Sequence, residues 1–497
     1  MTRSSIGLFL GPFLFLVLLM MPTPEGFEPL AMHVAAVTAL MATWWITEAI
    51  PIPATSLLPI VLFPILGIAD GAQVTLSYAN HIIYLFMGGF LIAVAVQKWN
   101  LHKRIALHTI RLVGVTPERV VLGFMLTTAG LSMFISNTAA TMLMVTIGLA
   151  VLQRTTEKLE SQPGNTIDTR KGHFRFGIAL MLGIGYSSSI GGIATLIGTA
   201  PNAIFAGIVE QTYGQTINFV DWIKFAMPLS LLMLLFSWFY LTRIACPSEI
   251  KQIPGGRETF EKELEELGPI TRQESMVLAI LILVAVLWLV NGLVTIESLR
   301  FVKDSTIAMT CALLLFIIPS DIKKREFLLD WNTAVTIPWD ILILFGGGFA
   351  LALGFSESGL TKDVAEKLNI LEGSNLIIII AAVTTLVILV TEVTSNTATA
   401  TISLPIMIAL AEAMKVHPYG LMITATIAAS FAFMLPVATP PNAIVFGSRY
   451  VTIPQMIKAG IWLYLIGMIL ITVFVILLLP LVWGIDINTF PSGFVSG

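Results

Sequence analysis

Two stretches, "LIGTAPNAIFAG" at 196–207 and "PVATPPNAIVFG" at 436–447, decide how this chain is built. Each lies in apolar surroundings. Each also sets proline (Pro201; Pro440 and Pro441) where a spanning helix would continue, which removes backbone donors and breaks the helix. A break bares carbonyls at one half-helix end and N–H groups at the other, whose positive dipole end favours anions. Irregular backbone at membrane depth survives only where it is buried in protein or lines a cavity. Two breaks of nearly the same wording therefore frame one binding site, with a hinge-only role for the prolines as the alternative.

The surrounding composition supplies the membrane. Of 497 residues, 56% are hydrophobic and 11% charged, and the mean hydropathy is +0.89. Many apolar runs reach or approach the roughly 20 residues that cross a hydrocarbon core. The fold class is an all-α polytopic membrane protein. A net charge of −3 offers no basic surface for nucleic acid. Cys246 and Cys311 match neither a disulfide framework nor a metal spacing, and the six histidines are scattered singly, outside both motifs. The opening "MTRSSIGLFLGPFLFLVLLMMPTPEG" lacks a small-x-small cleavage site and reads as the first transmembrane helix rather than a signal peptide.

Spans are expected at 5–21, 29–48, 53–68, 82–112, 176–209, 222–243, 274–291, 304–318, 334–366, 418–449 and 454–483. The segments 118–151 and 375–414 are too long for one crossing and carry a polar triplet midway, so they read as helical hairpins. With the N-terminus inside, only Lys224, Arg300, Lys303, Lys362, Lys367 and Lys415 of the 27 lysines and arginines fall outside. That bias fits about eleven crossings, a cytoplasmic N-terminus and an external C-terminus, in a bacterial inner membrane or a plasma membrane. It leaves open whether the hairpins dip and return or cross twice. The polar stretches 152–175 and 250–273 are the main cytoplasmic loops, and "ETFEKELEELG" (258–268) reads as a short amphipathic helix.

The two halves repeat. "LFMGGFLIAVAVQKWNL" (85–101) aligns with "LFGGGFALALGFSESGL" (344–360), and the same offset carries "SNT" at 136–138 onto "SNT" at 395–397 and Ser132 onto Thr391. The TxPN stretches pair Asn202 with Asn442. By the crossing count the copies run in opposite senses, the arrangement of secondary transporters with a midplane site. The organisation expected is 1–112 for the first scaffold helices and the start of the transport domain, and 113–249 for the first hairpin and broken helix. The loop and second scaffold helices follow at 250–333, then the second hairpin, broken helix and last helix at 334–497.

Ser132, Ser136, Asn137 and Thr138, with Thr391, Ser395, Asn396 and Thr397, are uncharged polar groups in apolar segments, expensive unless satisfied. Serine and threonine can bond back to the preceding helical turn. Asparagine twice, at equivalent places, is harder to account for that way. Hydroxyl and carbonyl oxygens suit hard cations, and amide NH₂ with helix-start N–H groups suits a carboxylate. Neither motif contains Arg, Lys, His, Asp or Glu, which favours Na⁺ over H⁺ as coupling ion. Glu392, three residues before the second SNT, reads as a packing or gate residue; the first half has Met133 there.

On "FISNTAAT" (134–141) and "SFAFMLPVATPPNAI" (430–444), the whole chain resembles the divalent anion/sodium symporter family, which includes the sodium-coupled di- and tricarboxylate carriers. The resemblance implies a homodimer in which a mobile transport domain rides on a scaffold, elevator fashion, with SNT triplets at the tips of two re-entrant hairpins. It implies a first sodium site at Ser132, Ser136, Asn137 and Gly198 and a second at Thr391, Ser395, Asn396 and Ala438. Gly198 and Ala438 would give backbone carbonyls. Substrate contacts would fall to Asn137, Thr138, Thr199, Ser395, Asn396, Thr397, Thr439 and Pro440. Thr199-Ala200 stands where some bacterial relatives have Ser-Pro, which leaves the preferred anion open.

The function expected is Na⁺-coupled uptake of C4-dicarboxylates (succinate, fumarate, malate), with membrane lipid and a second copy of the chain as the other partners. A sodium-independent dicarboxylate exchanger and a sodium-coupled citrate or sulfate carrier are the alternatives. An enzyme is disfavoured, since the spans hold no nucleophile–base pair, zinc spacing or phosphate loop. The glycines of "LFGGGF" (344–349) are better explained by close helix packing. An ion channel would need a continuous polar pore.

Overall fold

The computed structural model describes residues 2–114, 116–162, 166–254, 256–294 and 301–494. Arg300, used above to orient the chain, lies outside them. The protein is an all-α polytopic membrane protein whose only sheet, among the described residues, is an antiparallel ribbon pairing Pro319–Asp321 with Glu326–Phe327. Nine described helices are long and apolar enough to cross a hydrocarbon core, among them the hairpin arms Asn137–Glu160 and Asn396–Met414.

Besides the two spans that carry the TxPN stretches, three expected spans are each more than one helix, for local reasons. The span at 53–68 divides into Ile52–Thr55 and Leu58–Ile65, because Pro59 cannot donate into the preceding turn. The span at 82–112 divides into His81–Lys98 and the amphipathic Leu101–Val113, where Asn100 turns the chain at φ +54°. Arg104 on that amphipathic helix bonds both carboxylate oxygens of Glu274 at 3.1 Å and the carbonyl of Gly268 at 2.9 Å, pinning it beside the start of Arg272–Leu293. The span at 334–366 becomes Trp331–Ala334, Trp339–Glu357 and Leu360–Leu368, broken at Pro338 and at Gly359 with φ +71°.

The repeat is visible in the packing. Gly88 and Gly347 occupy equivalent places in the halves, and a Cβ on either would lie 2.7 Å from the backbone of Ala308 or 2.5 Å from that of Ser56. Glycine is what lets the helices close at both places, as expected for "LFGGGF".

The segments 118–151 and 375–414 fold as hairpins. Pro117–Ser132 runs to a tip and Asn137–Glu160 leaves it; Leu376–Thr391 and Asn396–Met414 do the same in the second half. Each TxPN stretch divides a helix: Arg175–Gly192 from Ala200–Tyr213, and Pro418–Ala428 from Pro440–Gly447. Four helices thus begin at Asn137, Ala200, Asn396 and Pro440, two from each half.

Candidate functional site

All four helix starts open on one cavity of about 590 Å³. Its wall includes Asn137, Thr138, Thr199, Ser395, Asn396, Thr397, Thr439 and Pro440, together with Ser136, Gly198 and Ala438. Ser132 and Thr391 are fully buried behind it. The sequence-predicted residues are therefore brought together, two of them as a second layer.

Ser132 and Thr391 decide whether these hydroxyls merely satisfy their own helix. Thr127 and Thr128, one turn earlier, do bond back, to the carbonyls of Gly123 and Phe124 at 2.7 Å. Ser132 instead donates forward to Asn137 Oδ1 at 2.5 Å. Thr391 sits 2.8 Å from both Asn396 Oδ1 and the carbonyl of Ala429. The forward serine–asparagine contact in one half is repeated as threonine–asparagine in the other.

Around Asn137 the crowding is oxygen-rich. A Cβ on Gly198 would meet the carbonyl oxygen of Gly192 at 2.4 Å and that of Ser132 at 2.9 Å, and one on Gly192 would meet Asn137 Oδ1 at 2.7 Å. Neutral carbonyl, amide and hydroxyl oxygens at one spot form a donor set for a hard cation. Gly192 was not among the expected residues; the double glycine at 191–192 within an apolar helix was its signal. No group of three or more His, Cys, Asp or Glu exists among the described residues to hold a softer metal.

Facing the cavity are helix N-termini whose first-turn N–H groups lack intrahelical partners. Ser136 and Thr439 cap their own helices, accepting from Ala139 N and Asn442 N at 3.3 Å. Thr199 and Ser395 make no such cap, so their hydroxyls remain available to a ligand. The breaks are held by buried asparagines: Asn202 Nδ2 donates to the carbonyls of Gly192, Ile193 and Thr195, and Asn442 Nδ2 to those of Ala432 and Leu435. Glu392 is buried, and its carboxylate accepts from the backbone N–H groups of Phe433, Met434 and Leu435 at 2.7, 2.8 and 2.9 Å. It is a packing residue that ties the second hairpin tip to the second break.

Residues 3–485 match the family model for the sodium:sulfate symporter transmembrane region. The chain belongs to this family. It is similar to the sodium-dependent dicarboxylate transporter SdcS of Staphylococcus saprophyticus, at 44% identity over 97% of this chain and 93% of that protein. It is similar also to SdcS of Staphylococcus aureus, at 46% over 98% and 93%. The fold resembles that of MtrF of Neisseria gonorrhoeae, with TM-score 0.56 and 12% identity over 82% of this chain and 84% of that one. The YdaH transporter of Alcanivorax borkumensis has the same kind of likeness, with TM-score 0.55 and 14% identity over 84% and 89%. Family membership makes this chain a membrane transporter, not an enzyme, with Na⁺ as its coupling ion.

Proposed function

We propose that this carrier couples sodium entry to uptake of C4-dicarboxylates such as succinate, fumarate and malate. The observation that carries this reading is the convergence of four helix N-termini and two SNT tips on one cavity. The dicarboxylate named for its staphylococcal relatives supports the substrate class. One SNT tip with its neighbouring helix start takes one carboxylate, and the tip from the other half takes the second. The contacts are Asn137, Thr138 and Thr199 from the first half, and Ser395, Asn396, Thr397, Thr439 and Pro440 from the second.

Neither SNT triplet carries a charged side chain, and the charged residues of the cavity wall, Arg3, Glu48 and Asp340, offer one formal positive charge against two negative ones, so a dianion entering alone would lose its hydration without a sufficient counter-charge. Two unit charges 4 Å apart interact by about 4 kcal/mol at an effective dielectric of 20. Sodium at Ser132, Ser136, Asn137 and Gly198, and at Thr391, Ser395, Asn396 and Ala438, supplies that counter-charge, so cation binding precedes or accompanies the anion. The hairpins and broken helices then move as one body against the remaining helices, elevator fashion, within a homodimer of the plasma or bacterial inner membrane, N-terminus cytoplasmic and C-terminus outside.

The test is uptake of labelled succinate by proteoliposomes with and without an inward sodium gradient. Asn137→Ala and Asn396→Ala each abolish it while leaving a folded protein by gel filtration. Equal uptake without sodium would replace symport by exchange, and sulfate or citrate outcompeting succinate would replace the substrate class.

A further inference from the structure

Arg3, read from the sequence as a charge marking the cytoplasmic end, lines the cavity itself. It is the only lysine or arginine among the lining residues. Its Nη2 donates to the carbonyl of Val393 at 2.6 Å and also to the carbonyl of Ile46. Both acceptors sit at helix C-terminal ends: Leu376–Thr391 stops just before Val393, and Pro29–Thr47 stops just after Ile46. Carbonyls there lack intrahelical donors and carry the negative end of the helix dipole. A planar guanidinium with several donors is suited to bridging two such ends.

The two ends are held differently. On the Arg3 side, Ser4 Oγ donates to the carbonyl of Glu48 at 3.1 Å and Trp44 Nε1 to that of Gly7 at 3.1 Å, which fastens helix Arg3–Met20 along helix Pro29–Thr47. Val393, on the other side, is exposed at the second hairpin tip, two residues before Ser395. The equivalent tip in the first half is tied within its own half, where Thr195 Oγ1 donates to the carbonyl of Met133 at 2.6 Å.

We infer that Arg3 is a positioning residue, a latch that clamps the second hairpin tip to the N-terminal helix pair in this state and releases it when the hairpin moves. The inference rests on the moving-body reading above. A carboxylate is a stronger, charge-assisted acceptor than a neutral carbonyl. A dianion passing the cavity mouth therefore competes with Val393 for the guanidinium and loosens the clamp.

Full-length protein in proteoliposomes tests it in two ways. Arg3→Cys combined with Val393→Cys, joined by a short cleavable bifunctional thiol reagent, loses sodium-driven succinate uptake by about tenfold and regains it when the linker is reduced. Undiminished uptake by the linked protein means that the two groups never part, and overturns the latch. With Val393→Cys alone, a water-soluble thiol reagent labels about threefold faster when Arg3→Gln is added, and at an intermediate rate with Arg3→Lys, which donates but cannot bridge as a fork. Equal labelling rates in the three backgrounds also overturn it. If unmodified protein took up no succinate, the transport reading would fall, and the labelling rates would still judge the latch.

Discussion

The first hairpin meets its broken helix through glycine, and the second meets its own through a carboxylate. Gly192 and Gly198 let backbone oxygens crowd toward Ser132 and Asn137; the repeat puts Ala432 and Ala438 at those places in the second half. Where the first half has Met133, the second has Glu392, whose carboxylate gathers three backbone N–H groups of the second break. Close approach and a buried anionic clamp are two solutions to one problem, that of holding a hairpin tip against an unwound segment. The difference teaches that the two proposed cation sites, alike in motif, rest on unlike supports, and so are expected to fail differently when perturbed.

After loss of transport in the asparagine variants, the largest effect is expected from the glycine side. Gly198→Ala drives a methyl group into the carbonyls of Gly192 and Ser132. Overpacking of this kind costs about 1–3 kcal/mol, which raises the half-saturating sodium concentration by about tenfold or more. Ala438→Gly, the mirror change, removes a methyl group at a place already built for one and shifts it by about twofold or less. Sodium titrations of uptake that moved equally in both variants would break the comparison.

A smaller effect is expected on the carboxylate side. Glu392→Gln keeps the shape but replaces a charged acceptor that serves three N–H groups. Leaving a buried backbone donor poorly satisfied costs about 1–3 kcal/mol. The thermal midpoint falls and sodium half-saturation rises, whereas Met133→Leu, at the equivalent place, leaves both where they were. A Glu392→Gln protein with the midpoint of the unaltered chain would mean that the clamp carries no stability.

Much of this was legible in the chain. Hairpins followed from polar triplets in apolar segments too long for one crossing, and breaks followed from proline, because both signals are local and chemical. The pairing of Ser132 with Thr391 came from the repeat alone, and the structure gives the two the same forward bond to asparagine. Helix ends were less legible: the break at Pro59 divides an apolar run whose hydropathy is continuous, and Asn100, in a left-handed conformation, turns the chain within the polar stretch that begins an amphipathic helix. The signal for Gly192 was slight, a double glycine within an apolar helix, since a contribution made by a backbone carbonyl leaves no other side-chain signature. The bridge made by Arg3 was not legible, because its partners, at 46 and 393, are distant in sequence and are themselves carbonyls.

The finest contrast lies in the second layer. The Ser132 hydroxyl bonds Asn137, whereas Thr391 lies between Asn396 and the carbonyl of Ala429, just beyond the end of half-helix Pro418–Ala428. Ser132→Ala therefore removes one oxygen from the first proposed cation site and one hydrogen bond, worth about 1 kcal/mol, an expected severalfold loss of sodium affinity. Thr391→Val removes the equivalent oxygen and the one hydroxyl proton shared between Asn396 Oδ1 and the helix-end carbonyl of Ala429, so its loss is the greater of the two and comes with a lower thermal midpoint. In both, sodium affinity changes more than succinate KM measured at saturating sodium, because neither side chain reaches the cavity wall. If succinate KM moved first, the two residues would belong to the anion's contacts, and the layering of cation behind anion would have to be redrawn.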